Sequence, residues 1–176
     1  MSAWLKAFFI AAGMFVATTV CAKLAGYVVN ISHSMPMGIY RLTSVMPQRG
    51  SVVSTCIDAG NQVMTIAIER RYFPTGKCPD GLMPFLKTVA ALPGDIVDIE
   101  QASIYVNNVP VPHTQRILTD WLSRPLPHVK EGRYRVGPGQ VFLLASHSPD
   151  SFDGRYFGLT SQREIQGVAK PVYVEH

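Results

Sequence analysis

Two residues of this sequence have the chemistry of a nucleophile and its base, Ser34 and Lys87. Ser34 lies in a short polar stretch, 30–41, in which Pro36 and Gly38 prevent a helix from continuing. A serine in such a stretch is ordinarily a turn residue that hydrogen-bonds to the nearby backbone. It becomes a nucleophile only when a general base removes its proton. A base elsewhere in the chain would therefore change the interpretation of Ser34.

Lys87 lies in an apolar stretch, 85–92, whose pattern predicts a strand. Neither set of alternating side chains in this stretch is polar enough to be the solvent-facing one, so both faces of the strand are predicted to be buried. A buried ammonium without a partner tends to lose its proton, and a neutral lysine amine is a competent general base. The alternative is that Lys87 lies at a sheet edge, reaches water and pairs with a carboxylate.

A third polar group follows a predicted buried strand and contains Asp150, Ser151, Asp153 and Arg155. Asp153 and Arg155 could pair and fix the turn, which would leave the Ser151 hydroxyl free to orient an amine. The alternative is a polar turn that is stabilised by bonds from side chains to the backbone.

Two histidines compete with Lys87 as the base. His147 with Asp150 could complete a set of the Ser-His-Asp kind. His33 is adjacent to Ser34, and adjacent side chains of an extended chain diverge. A lone loop histidine is more often a polar surface residue, so Lys87 remains the preferred base.

The element that would hold Ser34 near a membrane is the apolar segment 7–29, which is long enough for a spanning helix. We predict an uncleaved anchor over 1–29, with Tyr27 at the membrane interface. A cleaved signal peptide is the alternative, since Val20-Cys21-Ala22 offers a cleavage site. A lipoprotein signal is disfavoured because Val20, before the cysteine, is not small.

The remaining chain, 30–176, is predicted to be one mainly β domain with a coiled antiparallel sheet. It contains no second long apolar run, and most of the 13 prolines and 14 glycines punctuate short strands. One helix is predicted over 60–70 with Asp58 as its cap, and 110–139 is predicted to be an excursion or flap. The strands are predicted at 39–42, 51–56, 84–92, 96–99, 104–106, 140–145 and 168–174.

The distribution of charge and the spacing of the cysteines argue against nucleic-acid binding and against a metal site. The net charge is +4, but the basic residues are scattered without an aromatic-interleaved stripe, so we expect no nucleic-acid partner. Cys21, Cys56 and Cys78 lack the spacing of a metal site, so neither a metal nor another cofactor is expected. Cys56 and Cys78 either form a disulfide or remain two buried thiols.

Taken in order, three motifs resemble the boxes of the signal peptidase I family, which are membrane-anchored Ser/Lys proteases. They are a serine box at 32–36, a lysine box at 87–95 and an acidic box at 150–158. The stretch 104–108 is similar to the family's strand and turn after the lysine box. Within the family, the pattern Ser34-x-Pro36-x-Gly38-x-Tyr40 is most similar to the TraF branch of conjugative plasmid transfer systems.

The resemblance implies roles for the residues of the boxes. Ser34 would be the nucleophile and Lys87 its base, and the Ser34 N–H and the Ser32 hydroxyl would stabilise the oxyanion. Ser151 would orient the Lys87 amine. Asp153 would be either the acid member of the site or a structural partner of the following arginine.

The resemblance also implies a substrate and a location. The expected substrate is a pilin-like precursor that is processed for conjugation, and in this branch the processing can include joining the ends of the pilin into a ring. The expected location is the bacterial inner membrane, with one span, the catalytic domain in the periplasm and other conjugation proteins as partners. The enzymatic alternative is a general signal peptidase that removes leader peptides, and the non-enzymatic one is a membrane-tethered pilus assembly module.

Overall fold

The computed structural model describes residues 2–58, 60–145 and 147–175, and most of them lie in antiparallel strands and the turns that join them. The helices are α1 (Ala3–Leu24), α2 (Gln62–Glu69) and α3 (Gly154–Phe157), with a 3₁₀ turn at Gln162–Glu164. The strands are β1 (Tyr27–Asn30), β2 (Gly38–Thr43), β3 (Val52–Thr55), β4 (Phe85–Ala91), β5 (Ile96–Ile99), β6 (Ile104–Val106), β7 (Val109–Val111), β8 (Gly132–Arg135), β9 (Gln140–Leu144), β10 (Leu159–Ser161) and β11 (Ile165–Val174). The predicted mainly β fold class is confirmed.

Two antiparallel sheets form the domain. The larger sheet has the order β1-β2-β11-β3-β4-β9-β10, and the smaller one has the order β7-β6-β5-β8. In the larger sheet β4 lies between β3 and β9, so it is an interior strand with both neighbours hydrogen-bonded. This position fixes the side chains of β4 more firmly than an edge position would.

Apolar side chains pack into two clusters, one on the larger sheet and one that combines residues of both sheets. Burying one aliphatic side chain of this kind contributes roughly 1.5–3 kcal/mol, so these clusters hold the scaffold around the polar residues of β4 and β9. The first cluster contains Val53, Met64, Val89, Leu143 and Phe157, and the second contains Ala91, Val97, Ile104, Phe142 and Leu144.

The N-terminal helix is shorter at its C-terminal end than the sequence predicted. α1 starts at Ala3 and ends at Leu24, and Tyr27–Asn30 is the edge strand β1 and not part of the anchor. The cause is Gly26, whose φ of +82° turns the chain and whose carbonyl accepts a hydrogen bond from the Leu42 N–H at 2.8 Å. None of the α1 residues is buried, and α1 is the one described helix long and apolar enough to cross a bilayer. It is thus compatible with a membrane anchor.

The cap of α2 also differs from the prediction. The helix begins at Gln62, and its cap is Asn61, whose side chain accepts a hydrogen bond from the Val63 N–H at 2.9 Å. Asp58, the predicted cap, instead accepts a hydrogen bond from the Gly60 N–H. Asn and Asp cap helices equally well, so the choice was decided by the turn that precedes the helix.

The stretch 110–139 contains more regular structure than a flap would. It includes the end of β7 and all of β8, and both strands belong to the smaller sheet. β7 escaped prediction because Pro110 weakens a strand pattern, and β8 because it is Gly-Arg-Tyr-Arg, without apolar alternation. Between the two strands, residues 118–126 form a short hairpin, with a bridge between Thr119 and Pro125.

Cys56 and Cys78 form a disulfide with a Cα–Cα distance of 5.5 Å. The bond joins the end of β3 to the irregular segment between α2 and β4. Of the two states left open by the sequence, the structure has the paired one. Cys21 is the remaining cysteine, free and exposed on α1.

Candidate active site

The side chain of Asn30 holds the loop that carries Ser34. Its amide nitrogen donates hydrogen bonds to the carbonyl oxygens of Ser32, Met35 and Pro36 at 3.0–3.1 Å, and its oxygen accepts one from the Ser32 N–H. Asn30 is 8% exposed. One buried amide thus satisfies four backbone groups of a loop that has no regular structure. This role of Asn30 was not predicted from the sequence, because an asparagine beside a turn has many ordinary local roles.

The far end of the loop is fixed by the neighbouring strands. The Tyr40 hydroxyl donates to the Pro36 carbonyl at 2.7 Å, and the Glu175 N–H donates to the Met37 carbonyl at 2.9 Å. Gly38 has a φ of +145°, and a Cβ on it would overlap the carbonyl oxygen of Tyr173 on β11. Glycine is therefore required where the serine box passes against the C-terminal strand.

Lys87 is buried in the interior of the larger sheet. It is 2% exposed and shares a face of β4 with Val89 and Ala91, which are fully buried. Its backbone pairs with Val53 of β3, so the alternative of a sheet-edge lysine that reaches water does not hold. The Lys87 Nζ atom lies 5.8 Å from the centre of the Phe85 ring.

Burial lowers the pKa of the Lys87 amine from 10.5 to about 8, because the charged form loses its hydration. The carboxylate of Asp153 acts in the opposite direction, and the guanidinium of Arg155 lowers the pKa further. Desolvation is the largest of the three effects. The neutral form of the amine is consequently far more populated near neutral pH than it is in an exposed lysine.

Asp153 and Arg155 form a fully buried ion pair beside Lys87. The Arg155 Nε donates to one carboxylate oxygen at 2.8 Å and Nη2 to the other at 3.0 Å. The Ala145 N–H and the Arg155 N–H also donate to this carboxylate, at 2.8 and 3.1 Å. The pairing considered from the sequence is present, and it ties the turn after β9 to the end of that strand.

The Arg155 guanidinium also donates hydrogen bonds to the backbone around the turn. Its guanidinium donates to the carbonyl oxygens of Gln115 and Pro149 through Nη1 and of Ser151 through Nη2, at 2.8–3.1 Å. The acidic turn is therefore rigid. Gly154 completes it, since a Cβ there would lie 2.6 Å from the carbonyl oxygen of Leu143.

Ser151 is 2% exposed, and its hydroxyl is buried without a hydrogen-bond partner among the described residues. An unpaired buried hydroxyl is costly by roughly 1–3 kcal/mol, so its presence in a rigid polar turn requires an explanation. A partner amine supplied in another state of the site would provide one.

One cavity of about 1600 Å³ brings the serine box and the lysine box together. Ser32, Ser34 and Lys87 all line it, together with Asp150 and Phe152 of the acidic box. The two boxes also touch directly, because the Thr88 hydroxyl lies 3.8 Å from the sulfur of Met35. Among the described residues, no hydrogen bond joins the Ser34 hydroxyl to the Lys87 amine, and such bonds often tighten only when substrate is present.

The Ser32 hydroxyl lies next to the Ser34 backbone. Its oxygen accepts a hydrogen bond from the Ser34 N–H at 3.1 Å. The two donors expected to stabilise an oxyanion are hence adjacent, but in this state the Ser34 N–H is already occupied. A small rotation of the Ser32 side chain would release that N–H toward the cavity.

The histidine alternatives lie elsewhere. His33 and His147 line a separate cavity of about 170 Å³, which Ser34 and Lys87 do not line. The described residues contain no group of three or more His, Cys, Asp or Glu that could hold a metal ion.

Comparison with known proteins agrees with the three boxes. Residues 1–174 match the family model described as signal peptidase, peptidase S26. The chain is 37% identical over 151 residues to a plasmid transfer protein TraF from Escherichia coli, covering 86% of this chain and 85% of that protein. It is 34% identical over 157 residues to a conjugal transfer protein TraF from Agrobacterium fabrum, covering 88% and 86%.

A more distant similarity links the chain to a general signal peptidase. It is 31% identical over 90 residues to a signal peptidase I from Bacillus caldolyticus, covering 47% of this chain and 50% of that protein. The family model spans the serine, lysine and acidic boxes together, and two relatives of the TraF type match most of the chain. The chain therefore belongs to the signal peptidase family, peptidase S26, and this membership implies serine peptidase activity.

Proposed function

We propose that this chain is a membrane-anchored serine peptidase with a Ser34–Lys87 dyad that processes a pilin-like precursor for conjugative plasmid transfer. The observation that carries the proposal is the shared cavity, in which a loop serine and a buried lysine of lowered pKa are the reactive groups. A serine alone is inert, and a lysine of ordinary pKa is charged near neutral pH. Burial of Lys87 lowers the pKa of its amine, so the neutral form that can act as a base becomes available.

The first chemical step is acylation. The neutral Lys87 amine takes the hydroxyl proton of Ser34, and the serine oxygen bonds to the scissile carbonyl carbon. The tetrahedral intermediate then collapses, the C–N bond breaks, and the departing amine receives the proton from the Lys87 ammonium. The substrate's acyl part remains as an ester on Ser34.

The oxyanion of the intermediate is stabilised by the Ser34 N–H and the Ser32 hydroxyl. Because the Ser34 nitrogen and the Ser32 oxygen lie 3.1 Å apart, both donors can serve one carbonyl oxygen once the Ser32 side chain has rotated and released the Ser34 N–H. Each donor of this kind lowers the barrier by roughly 3 kcal/mol. Replacing Ser32 should accordingly reduce kcat more than it raises KM.

The acidic box positions the base. Ser151, whose buried hydroxyl is unpaired among the described residues, accepts a hydrogen bond from an N–H of the neutral Lys87 amine and so directs the lone pair of the amine toward Ser34. We assign Asp153 a positioning role, because its oxygens accept four hydrogen bonds from Arg155 and Ala145, which hold it as part of the turn. This choice replaces its alternative role as the acid member of the site.

Two observations support the proposed substrate class and compartment, namely the names of the relatives and the disulfide. The relatives that match most of the chain are named as plasmid or conjugal transfer proteins. The Cys56–Cys78 disulfide favours an oxidising compartment such as the periplasm, and this supports an arrangement with α1 in the inner membrane and the sheets on its periplasmic side. The acyl-enzyme then reacts either with water, which gives a linear product, or with a substrate amine, which gives a new peptide bond and a ring.

Intact-mass analysis of the substrate tests the proposal. The full chain in detergent is incubated with the pilin precursor of the same transfer system, in parallel with Ser34→Ala and Lys87→Ala. Wild type should convert the precursor to a lighter product, and both variants should leave it unchanged. A ring product is recognised because it is lighter than the linear product by one water.

A generic secretory precursor serves as the second substrate. Faster processing of the pilin precursor supports the proposal, whereas equal or faster processing of the secretory precursor supports a general signal peptidase. If both variants still process the pilin precursor, the dyad assignment is wrong. If Ser34→Ala restores plasmid transfer in cells as well as wild type does, the chain acts as a non-catalytic assembly module.

A further inference from the structure

The hairpin 118–126, here called the Trp121 hairpin, presents an apolar tip at the rim of the active-site cavity. Trp121 is 70% exposed and Leu122 is 60% exposed. Trp121 nevertheless lines the cavity that contains Ser34 and Lys87. Two adjacent large apolar residues at the tip of one loop form an exposed apolar patch, and such patches mark binding surfaces.

The hairpin is held rigidly from within. The Asp120 side chain is 2% exposed and accepts hydrogen bonds from the Leu122 N–H, the Arg124 N–H and Nε, and the Tyr72 hydroxyl, all at 2.6–2.9 Å. Ser123, with a φ of +58°, closes the turn. The tip is consequently presented in one fixed conformation, which lowers the entropic cost of binding to it.

The hairpin is also joined to the rest of the site. The Arg70 guanidinium donates to the Pro125 carbonyl at 2.8 Å, and the Trp121 ring meets the Tyr72 ring edge to face at 5.2 Å. At its base, the Ile117 N–H donates to the Tyr156 hydroxyl at 3.0 Å. Tyr156 in turn stacks on Phe152 of the acidic box at 4.9 Å. The hairpin is thus a fixed wall of the cavity.

The same cavity is also lined by Thr19, Ala22 and Lys23 from the last turns of α1. These α1 residues are exposed, and nothing in the described chain covers them. A polypeptide that leaves the bilayer beside α1 and reaches Ser34 through this cavity would contact both α1 and the Trp121 hairpin. An apolar segment is the occupant that fits, because Trp121, Phe73 and Phe85 present apolar surface to the cavity.

We propose that the Trp121 hairpin is an exosite that binds the apolar, membrane-emerging segment of the substrate, away from the scissile bond. This inference rests on the proposed function. Trp121 is then a specificity-determining residue that acts on substrate binding, and it favours precursors that carry an apolar segment over short soluble peptides.

Two probe substrates test the exosite. The short probe is a peptide spanning the cleavage site, and the long probe is the same peptide preceded by an apolar segment of about 20 residues. For wild type, kcat/KM should be higher for the long probe. Trp121→Ala should lower the ratio of long-probe to short-probe kcat/KM by about tenfold, mainly through KM, and Trp121→Phe should restore most of it.

The matched control is Val109→Ala, which removes an apolar side chain of similar exposure, 64%, from the smaller sheet. Val109 does not line the cavity, so both probes should behave as they do with wild type. A Trp121→Ala ratio equal to the wild-type ratio would overturn the exosite and leave the proposed function standing. Failure of wild type to cleave either probe would overturn the proposed function itself.

Fluorescence gives a readout independent of turnover. The chain has two tryptophans, so Trp4→Phe makes Trp121 the sole indole, and Ser34→Ala in the same chain prevents cleavage. Adding the long probe should shift the Trp121 emission to shorter wavelength, and adding the short probe should not. An emission unchanged by the long probe would contradict the exosite.

Discussion

At the scale of single residues, Lys87 is the proposed base, and its ionisation would then set the pH range in which the site acts. Its pKa of about 8 follows mainly from burial, while the charges of Asp153 and Arg155 act on it in opposite directions. If the neutral amine is the base, activity depends on the fraction of Lys87 that has lost its proton.

The pH profile of kcat/KM should therefore rise with pH through an apparent pKa of about 8 and then level off. The measurement uses the short cleavage-site probe in a series of constant-ionic-strength buffers. Lys87→Arg is the control, because its guanidinium stays charged at every pH used and should be inactive throughout. A wild-type profile without a rising limb between about pH 6 and pH 9 would contradict the role of Lys87.

Lys87 should also reduce stability where it is charged. In the unfolded chain its pKa is near 10.5, and in the folded chain it is about 8. Below pH 8 both states carry the proton, and the folded state bears the full cost of burying it, about 3 kcal/mol for a shift of this size. As pH rises from 8 to 10.5 the folded state gives up its proton first, so wild type becomes more stable relative to the unfolded chain.

Lys87→Met should consequently raise the free energy of unfolding by up to about 3 kcal/mol near pH 7, and the gain should disappear as the pH approaches 10.5. Urea unfolding in mild detergent at several pH values measures this. The exposed Lys77 provides the control, since Lys77→Met should show no such gain. If the Lys87→Met chain is less stable than wild type at pH 7, the prediction is wrong, because the interactions of the charged amine then outweigh the cost of its burial.

The burial of Lys87 could be predicted from the sequence, because a lysine in a strand that is apolar on both faces has no solvent-facing side to occupy. Ser34 could be singled out only through the resemblance of its box to a known family, since a serine in a Pro/Gly turn is ordinary. The role of Asn30 could not be predicted, since an asparagine near a turn has many ordinary roles. Its importance depends on three carbonyl oxygens that only the folded loop brings together.

At the scale of elements, the serine loop is positioned by its neighbours and not by its own regular structure. Asn30 ends β1, Tyr40 belongs to β2, and Glu175 follows β11, and each bonds to a backbone group of the loop. The accuracy with which Ser34 faces the cavity therefore depends on the edge of the larger sheet.

Asn30→Ala should lower kcat by roughly 10²-fold, because the loop loses four hydrogen bonds and a displacement of about 1 Å at the nucleophile has an effect of that size. Stability should fall by about 1–3 kcal/mol through the carbonyl groups left unsatisfied. The comparison is Asn107→Ala, which removes side-chain bonds to Ile96 and Asp95 in the smaller sheet. That variant should lose stability and keep its kcat, and a similar loss of kcat in both would refute a specific role for Asn30.

Strands with apolar alternation were predictable, whereas β1, β7, β8 and β10 were not. β1 was absorbed into the apolar run of the anchor, and only the turn at Gly26 separates the two. β8 is polar and mostly exposed, so its own composition does not favour a strand, and it is extended because its backbone pairs with β5. The excursion 110–139 could not be predicted as a fixed wall, since its tethers come from Arg70, Tyr72, Arg155 and Tyr156.

At the scale of the whole molecule, a long apolar helix precedes a β domain that contains a disulfide. The proposed arrangement has α1 in the inner membrane and the sheets in the periplasm. This arrangement predicts that Cys56 and Cys78 are paired in cells, because a domain in the cytosol would keep both thiols reduced.

Maleimide labelling of denatured chains from isolated membranes should thus modify one cysteine, Cys21, before reduction and all three after it. The mass of the labelled chain gives the count. A chain that lacks α1 and is retained in the cytosol is the control and should label at both remaining cysteines without reduction. Three labels on the full chain before reduction would contradict a periplasmic domain.

The most direct measurement is the position of the acyl group during turnover. Wild type is mixed with the pilin precursor, the reaction is stopped with acid, and the chain is digested with trypsin for fragment mass analysis. The account predicts an ester-linked substrate fragment on Ser34 in wild type and none in Lys87→Ala. Turnover with no adduct on Ser34, or with the adduct on another residue, would contradict it.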